Sequence, residues 1–301
     1  MISISEIQKI FKGKISLNEQ LAPYTTFRIG GVADYFVEPH EAEDVINLIK
    51  YIVKQNVPFY VLGNGSNILI SDEGIRGVVI NMITGFSYLK HEDDTIISGS
   101  GVKMAKFVDY TIQNGYAGVE MLAGIPATIG GALVMNAGCY GGEISQFVSH
   151  VTVVKDGNLI VQTSDECEFG YRKSNLKGTI ILEARFRLQK GNKEEISARR
   201  KELLLKRNIS QPVEIPNAGC IFKNPKDNYA AVLIEQCGLK GTIYGGAMVS
   251  PKHGNFIVNV NNASANDIVE LIKIVKKTVL EKTGINLELE VKPVGFDEVQ
   301  V

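Results

Sequence analysis

The sequence predicts a protein of mixed helices and strands in two or three structural units. Its 301 residues exceed one typical small domain. Hydrophobic residues make up 45%, enough for packed cores and too many for a disordered chain. Helix-period and strand-period segments are interleaved along most of its length.

The elements follow in order. "MISISEIQKIFKGKISLNEQ" opens with a short amphipathic helix, with Ile4, Ile7, Ile10 and Phe11 on one side. Residues 41–55, "EAEDVINLIKYIVKQ", predict a helix with one apolar face and acids clustered at its start. "VPFYVL" reads as a buried strand, "GNGSN" as a turn, and "ILIS" and "GVVINM" as two further strands, so the opening third is βαβ-like. A strand ends at 95–99. A helix over 102–115 closes on a glycine at its C′ position. Strand pairs follow around the "KDGN" turn and at 180–188. The charged helix beginning near 191 is a plausible linker. After it come the short helix "YAAVLIEQCG", the strand "NFIVNV", and a helix from 265 opened by Ser264 and Asp267 as N-cap and N3. A last strand is expected over 286–296.

Bulk properties narrow the function. A formal net charge of −1 gives no global reason to bind nucleic acid or an anionic membrane. No apolar run approaches the roughly 20 residues of a membrane helix, and the start lacks the basic-then-apolar order of a secretion signal. A cytoplasmic location is the resulting expectation. Cys139, Cys167, Cys220 and Cys237 form no C-x-x-C pair and have no histidine at zinc spacing, so neither a metal site nor a stable disulfide is expected.

Several motifs carry potential chemistry, each beside a plainer reading. "LGNGSNILI" can aim several N–H groups at a phosphate, or simply turn the chain. It is neither a G-x-G-x-x-G nor a Walker loop. "GIPATIGGALVMNAGCYGG" suits a backbone cradle for an extended ligand, or a packed small-residue turn. Arg172, in "FGYRKSNLKG", can grip a carboxylate at two points or lie idle on the surface. Glu288 and Glu290, at i and i+2 of the last strand, share one face, which either meets water or works beside a reaction centre. Cys220, in "PNAGCIFKNP", is open to five readings: nucleophile, metal ligand, disulfide half, proton donor or buried filler. The metal and disulfide readings are nearly excluded by the cysteine pattern. A nucleophile needs a histidine, and His253 alone lies in the same apparent domain.

Together these motifs resemble the UDP-N-acetylenolpyruvoylglucosamine reductases. The carriers are "TTFRIGGVADYFVEP", "LGNGSNILISD", "GIPATIGGALVMNAGCYGGEI", "FGYRKS", "AGCIFKNP", "LIEQCGLKG", "VSPKHGNFIVN" and "LELEVKPVG", in the family's order over nearly the whole chain. The short gap between Arg172 and Cys220 resembles the compact subfamily, which lacks a tyrosine-bearing insertion.

The resemblance implies a two-lobed FAD-binding domain of the vanillyl-alcohol-oxidase type plus a smaller α+β substrate-binding domain. The lobes would be 1–80 and 81–190. The substrate domain would be 191–301, with 286–296 returning to the active site. Non-covalent FAD is the implied cofactor and NADPH the reductant. Gly63, Asn64, Gly65, Ser66 and Asn67 would hold the FAD pyrophosphate. Gly124, Ile125, Pro126, Thr128, Gly130 and Gly131, with Asn136, Ala137 and Gly138, would line the flavin. The implied reaction is ping-pong: NADPH reduces FAD and leaves, and UDP-N-acetylglucosamine enolpyruvate then enters the same cleft. Hydride passes from flavin N5 to C3 of the enolpyruvyl group.

Arg172 and Glu290 match the positions that stabilise the resulting enolate, with Glu290 expected to have a raised pKa. Cys220 matches the proton donor to C2, where the family usually has serine. An ordinary thiol, with a pKa of about 8.5, is mostly protonated at neutral pH, and the exchange leaves the reaction feasible at the cost of oxidation sensitivity. Lys223 and Asn224 match contacts to the diphosphate and uracil end, with Tyr140 and Gln236 as weaker substrate candidates. A monomer is expected. The alternatives are another FAD-dependent oxidoreductase of this fold, with covalently bound FAD as its mark, and a non-catalytic nucleotide-binding module.

Overall fold

The computed structural model describes residues 4–297. The chain forms two compact units. Unit 1 takes the chain through Leu17, Tyr35–Asn64 and Gly77–Leu205, and unit 2 takes Asn18–Asp34, Gly65–Arg76 and the chain from Lys206 onward. This division by contact is discontinuous, whereas the boundaries expected from sequence order, 1–80, 81–190 and 191–301, are contiguous.

Unit 1 has two hydrophobic cores. The first is built on the helix Ala42–Lys54, whose Val45, Leu48, Ile49 and Ile52 recur at helical spacing and are all buried. They pack with Ile7 and Phe11 from the chain start and with Val78 and Ile80. The buried Asp44 carboxylate accepts from the Lys12 and His40 N–H groups at 2.7 and 2.9 Å, which ties the start of this helix to the chain before it. Phe59–Leu62 pairs parallel with Val78–Asn81.

The second core lies under an antiparallel sheet in the order Asn158–Thr163, Val148–Lys155, Ile180–Arg187, Thr95–Gly99, Leu89–Glu92. The helix Met104–Gln113 buries Met104, Phe107 and Val108 against it, and Phe107 lies 4.6 Å from the Phe186 ring. Side chains alternate across a strand. Val153 and Ile181 therefore enter this core, while Val154, Ile180 and Leu182 enter the first. The centre of this sheet is buried on both faces and serves both cores, where the short apolar runs Val153–Val154 and Ile180–Leu182 lie.

Unit 2 packs the helices Ala230–Gln236 and Ala265–Thr283 with the antiparallel sheet Asn217–Cys220, Phe256–Asn259, Ala247–Val249, Ile243–Tyr244. The expected capping box is present. Asp267 N–H donates to Ser264 Oγ and Ser264 N–H to the Asp267 carboxylate, both at 3.0 Å. The helix closes at Gly284, φ 73°. The Asp72 carboxylate takes the next two N–H groups, of Ala265 and Asn266.

Two strand expectations change. "ILIS" does not join its sequence neighbours: Ile68–Ile70 pairs parallel with Lys292–Val294 in unit 2. The last strand is regular only over Lys292–Val294. Before it, Lys223 N–H bonds the Glu288 carbonyl and Glu290 N–H bonds the Ile221 carbonyl, an isolated bridge around Phe222 and Leu289. Then Lys292 N–H bonds the Asn67 carbonyl. The segment changes partner halfway, so no single ladder runs its length. Among the described residues, no helix is long and apolar enough to cross a membrane.

Candidate active site

In unit 1 the glycine-rich stretch is an ordered device. The helix Ile129–Val134 sits inside what reads as a loop, with Thr128 as N-cap accepting the Gly131 N–H at 3.3 Å. Gly130 N–H bonds the Ser100 carbonyl at 2.8 Å, and a Cβ at Gly130 would meet Ser100 Cβ at 3.0 Å. A Cβ on Gly63 would strike Thr128 Oγ1, and Asn64 donates to the Pro126 carbonyl. Gly63 and Asn64 are thereby brought against Pro126–Thr128. Ile125 and Ala137 pack half-buried against the second core, and Gly124 is half-buried.

Asn136 is 1% exposed at φ 42°. Its amide donates to Glu143 Oε2 at 2.8 Å and to the Gly170 carbonyl at 3.1 Å, and accepts the Ser145 N–H at 3.3 Å. The protein's own groups therefore hold the Asn136 side chain in place. Gly138 offers its carbonyl to Arg172 Nη2 at 3.2 Å.

Arg172 sits at φ 55°, a conformation disfavoured for a residue with a Cβ. Gly170 and Lys173 close this tight turn with reciprocal N–H to carbonyl bonds. The guanidinium lies 5.0 Å over the Tyr171 ring. Tyr140, also at positive φ and exposed, donates to the Leu203 carbonyl at 3.3 Å. Arg172, Gly138 and Asn136 thus form one group.

In unit 2, Gly65 has φ 60°, and a Cβ there would collide with the Tyr24 carbonyl oxygen, so glycine is required. Ser66 and Asn67 are half-buried. Asn67 Nδ2 donates to the Glu290 carbonyl at 3.3 Å while its own carbonyl takes Lys292 N–H, so Asn67 brackets Glu290.

Gly219, at φ 77°, lies within a register shift between Asn217 and Cys220, and such a bulge re-aims the next side chain. Cys220 is half-buried opposite Phe256. Lys223 Nζ pairs with Glu288 Oε2 at 3.1 Å. The two acids expected on one face part company: Glu288 is exposed and Glu290 half-buried. Asn224 accepts the Ala230 N–H at the start of the helix that Gln236 ends, and both side chains are exposed. Asn67, Cys220, Lys223 and Glu290 are therefore joined through a few backbone bonds.

Burial lowers the pKa of His253. Its Nδ1 accepts the Asn255 N–H at 3.3 Å and its ring packs against Phe256. None of the four cysteines is in a disulfide. Burial pushes the Cys167 thiol up to about 11, which keeps it protonated and inert.

Two residues beside these groups escape the sequence reading. Asn255 lies in "KHGNF", where attention goes to the histidine. Ser100 follows a strand in "SGSG". It is 3% exposed, and its Oγ has no hydrogen-bond partner beside Gly130. A buried hydroxyl left in this way fits a polar ligand at the glycine-rich stretch.

Comparison with known proteins identifies the class first. Residues 33–164 match the FAD binding domain family, so this is a flavin-binding protein of α+β architecture. Residues 211–294 match the C-terminal domain of UDP-N-acetylenolpyruvoylglucosamine reductase. The chain is similar to the reductase of that name from Chloroherpeton thalassium, 40% identical with 99% of each chain covered. It is also similar to that of Clostridium tetani, 43% identical over 97% of this chain and 96% of the relative. A solved UDP-N-acetylenolpyruvylglucosamine reductase from Thermus caldophilus superposes with a TM-score of 0.81 at 37% identity, covering 94% of this chain and 99% of that one. The chain belongs to the UDP-N-acetylenolpyruvoylglucosamine reductase family.

Proposed function

We propose that this protein is an NADPH- and FAD-dependent reductase. It converts UDP-N-acetylglucosamine enolpyruvate to UDP-N-acetylmuramate, a peptidoglycan precursor, in the cytoplasm. The carrying observation is family likeness over nearly the whole chain together with the linked Asn67, Cys220, Lys223 and Glu290. Unit 1, with its two cores, corresponds in this reading to much of the two flavin lobes, and residues 191–301 to the substrate domain.

The residues present fit FAD: a glycine loop at 63–67, a glycine-rich stretch at 124–138, and the orphaned Ser100 hydroxyl beside it. When bound, FAD would supply the hydride chemistry between NADPH and C3 of the enolpyruvyl group. The chain's own residues manage charge and protons. Arg172, held out on a strained turn, offers a planar fork to the substrate carboxylate, where negative charge grows. Glu290, in its protonated form, donates a hydrogen bond to the same developing anion. Cys220 gives its thiol proton to C2, completing reduction of the double bond.

Lys223 serves the diphosphate. Its pairing with the exposed Glu288 is a surface ion pair, worth about 0–1 kcal/mol, so a phosphate can replace that partner at small cost. Asn224, Tyr140 and Gln236 complete substrate contacts. Thr128 and the 130–138 backbone hold the flavin side.

The test follows both half-reactions without air. NADPH should bleach the yellow protein, and the enolpyruvyl sugar nucleotide should restore the colour with one lactyl product per flavin. A protein that bleaches but ignores the sugar nucleotide would have another substrate. Denaturation should release all yellow colour, and colour retained by the polypeptide would point to a covalent flavoenzyme.

A further inference from the structure

We propose that Asn255 is a positioning residue for the proton-transfer half of this reaction. Its side-chain amide stands in for a missing strand and sets the backbone that presents Cys220, Lys223 and Glu290. The inference rests on the function proposed above.

The ladder between Asn217–Cys220 and Phe256–Asn259 ends at the Cys220–Phe256 pair. Just past it, Phe222 is 1% exposed, and its backbone N–H and carbonyl must find partners. Asn255 supplies both. Phe222 N–H donates to Asn255 Oδ1 at 2.9 Å, and Asn255 Nδ2 donates to the Phe222 carbonyl at 2.8 Å. The Asn255 backbone carbonyl also takes Ile221 N–H at 2.9 Å. Among ordinary side chains, a primary amide of this length offers donor and acceptor side by side, as a strand does.

The other side of the same dipeptide holds the acids. The Ile221 carbonyl accepts from Glu290 N–H at 2.8 Å and Val291 N–H at 3.3 Å, and Lys223 N–H donates to the Glu288 carbonyl at 2.8 Å. Ile221–Phe222 is thus the middle layer between Asn255 and the segment bearing Glu290. Cys220 and Lys223 are its two flanking residues.

Asn255 is itself fixed, 2% exposed. Its N–H donates to His253 Nδ1, and Ser250 Oγ takes the Lys252 and His253 N–H groups to brace the turn before it. The orientation is therefore built into a rigid turn.

The test compares Asn255→Asp and Asn255→Leu with wild type, in FAD-loaded protein checked for folding by circular dichroism. Each half-reaction is timed separately. Displacing a reacting group by about 1 Å can cost on the order of 100-fold. Reoxidation of reduced flavin by the enolpyruvyl sugar nucleotide should fall by about that factor in both variants, while reduction by NADPH falls by much less.

Asn255→Asp adds a distinguishing signature. An ionised aspartate has no donor for the Phe222 carbonyl, whereas a protonated one presents O–H and C=O side by side like the amide. Its reoxidation rate should recover as pH falls, and Asn255→Leu should show no recovery. A readout independent of turnover is the alkylation rate of Cys220 by iodoacetamide, resolved by peptide mass spectrometry, which should change several-fold in both variants.

Wild-type reoxidation rates together with an unchanged alkylation rate would overturn the proposal. So would equal losses in both half-reactions, or pH recovery in neither variant, which would mark Asn255 as part of general stability. Failure of the wild type itself to reoxidise with the sugar nucleotide would instead sink the proposed function.

Discussion

The stretches 124–144 and 217–225 carry most of the proposed chemistry, and the first has local caps that the centre of the second lacks. The first combines local caps with distant ties. Thr128 caps the turn three residues on, and Asn136 reaches Glu143 and Ser145. Ser100, Asn64, Gly170, Arg172 and Leu203 add longer ties. The second is braced mainly from afar: Phe222 by Asn255, 33 positions away, and Lys223 by Glu288, 65 positions away. Local bracing is written in spacing and can be read early. Remote bracing exists only once the fold brings the partners together.

That contrast can be tested, beginning with the largest effect. Arg172→Ala should slow reoxidation of reduced flavin by substrate about 10²- to 10³-fold, the usual loss for a donor aimed at a developing anion. Arg172→Lys should recover only part of it, because the two-pronged grip is gone. Stopped-flow absorbance of the flavin measures both. Full activity in the lysine variant would reduce Arg172 to a simple positive charge.

Next is Asn136→Ala. It strips partners from Gly170, Ser145 and Glu143 in a buried place and should cost about 2–3 kcal/mol of stability. Denaturant titration of the FAD-free protein isolates the effect from cofactor binding. A loss of flavin affinity with no loss of stability would instead support the cofactor-binding role that the family resemblance implies for Asn136.

The smallest effect lies in the remote bracing. Burial lowers the pKa of His253 from its ordinary 6.5, so the unfolded chain binds a proton there more readily than the folded one. Its stabilising share is intact above about pH 6.5 and erodes as pH falls through the lowered folded value. His253→Gln should flatten the fall in thermal midpoint on that acid limb. An unchanged slope would mean that protonation at Nδ1 is tolerated.

Much of the fold was legible because periodicity and caps are local. The helix at Ala42–Lys54, the hairpin around 155–158 and the Ser264–Asp267 capping box all follow from spacing. The helix Ile129–Val134 was not legible, since two glycines lower its propensity and only the Thr128 cap betrays it. The partner switch at Glu290–Lys292 was hidden because its partners, Ile221 and Asn67, are distant in sequence. For the site, Arg172, Cys220 and Glu290 were singled out by the family resemblance of their motifs, since residue type alone left plainer readings open. Nothing in the spacing distinguished Asn255 from an ordinary loop asparagine, or marked Ser100 as buried and orphaned.

The central claim is that Cys220 donates the proton, and single-turnover reoxidation in Cys220→Ser and Cys220→Ala tests it most directly. With the flavin first reduced by NADPH, addition of the enolpyruvyl sugar nucleotide should reoxidise the serine variant and leave the alanine variant reduced at least about 100-fold longer than wild type. If the alanine variant reoxidised at the wild-type rate, the proton would come from another group and Cys220 would be packing alone.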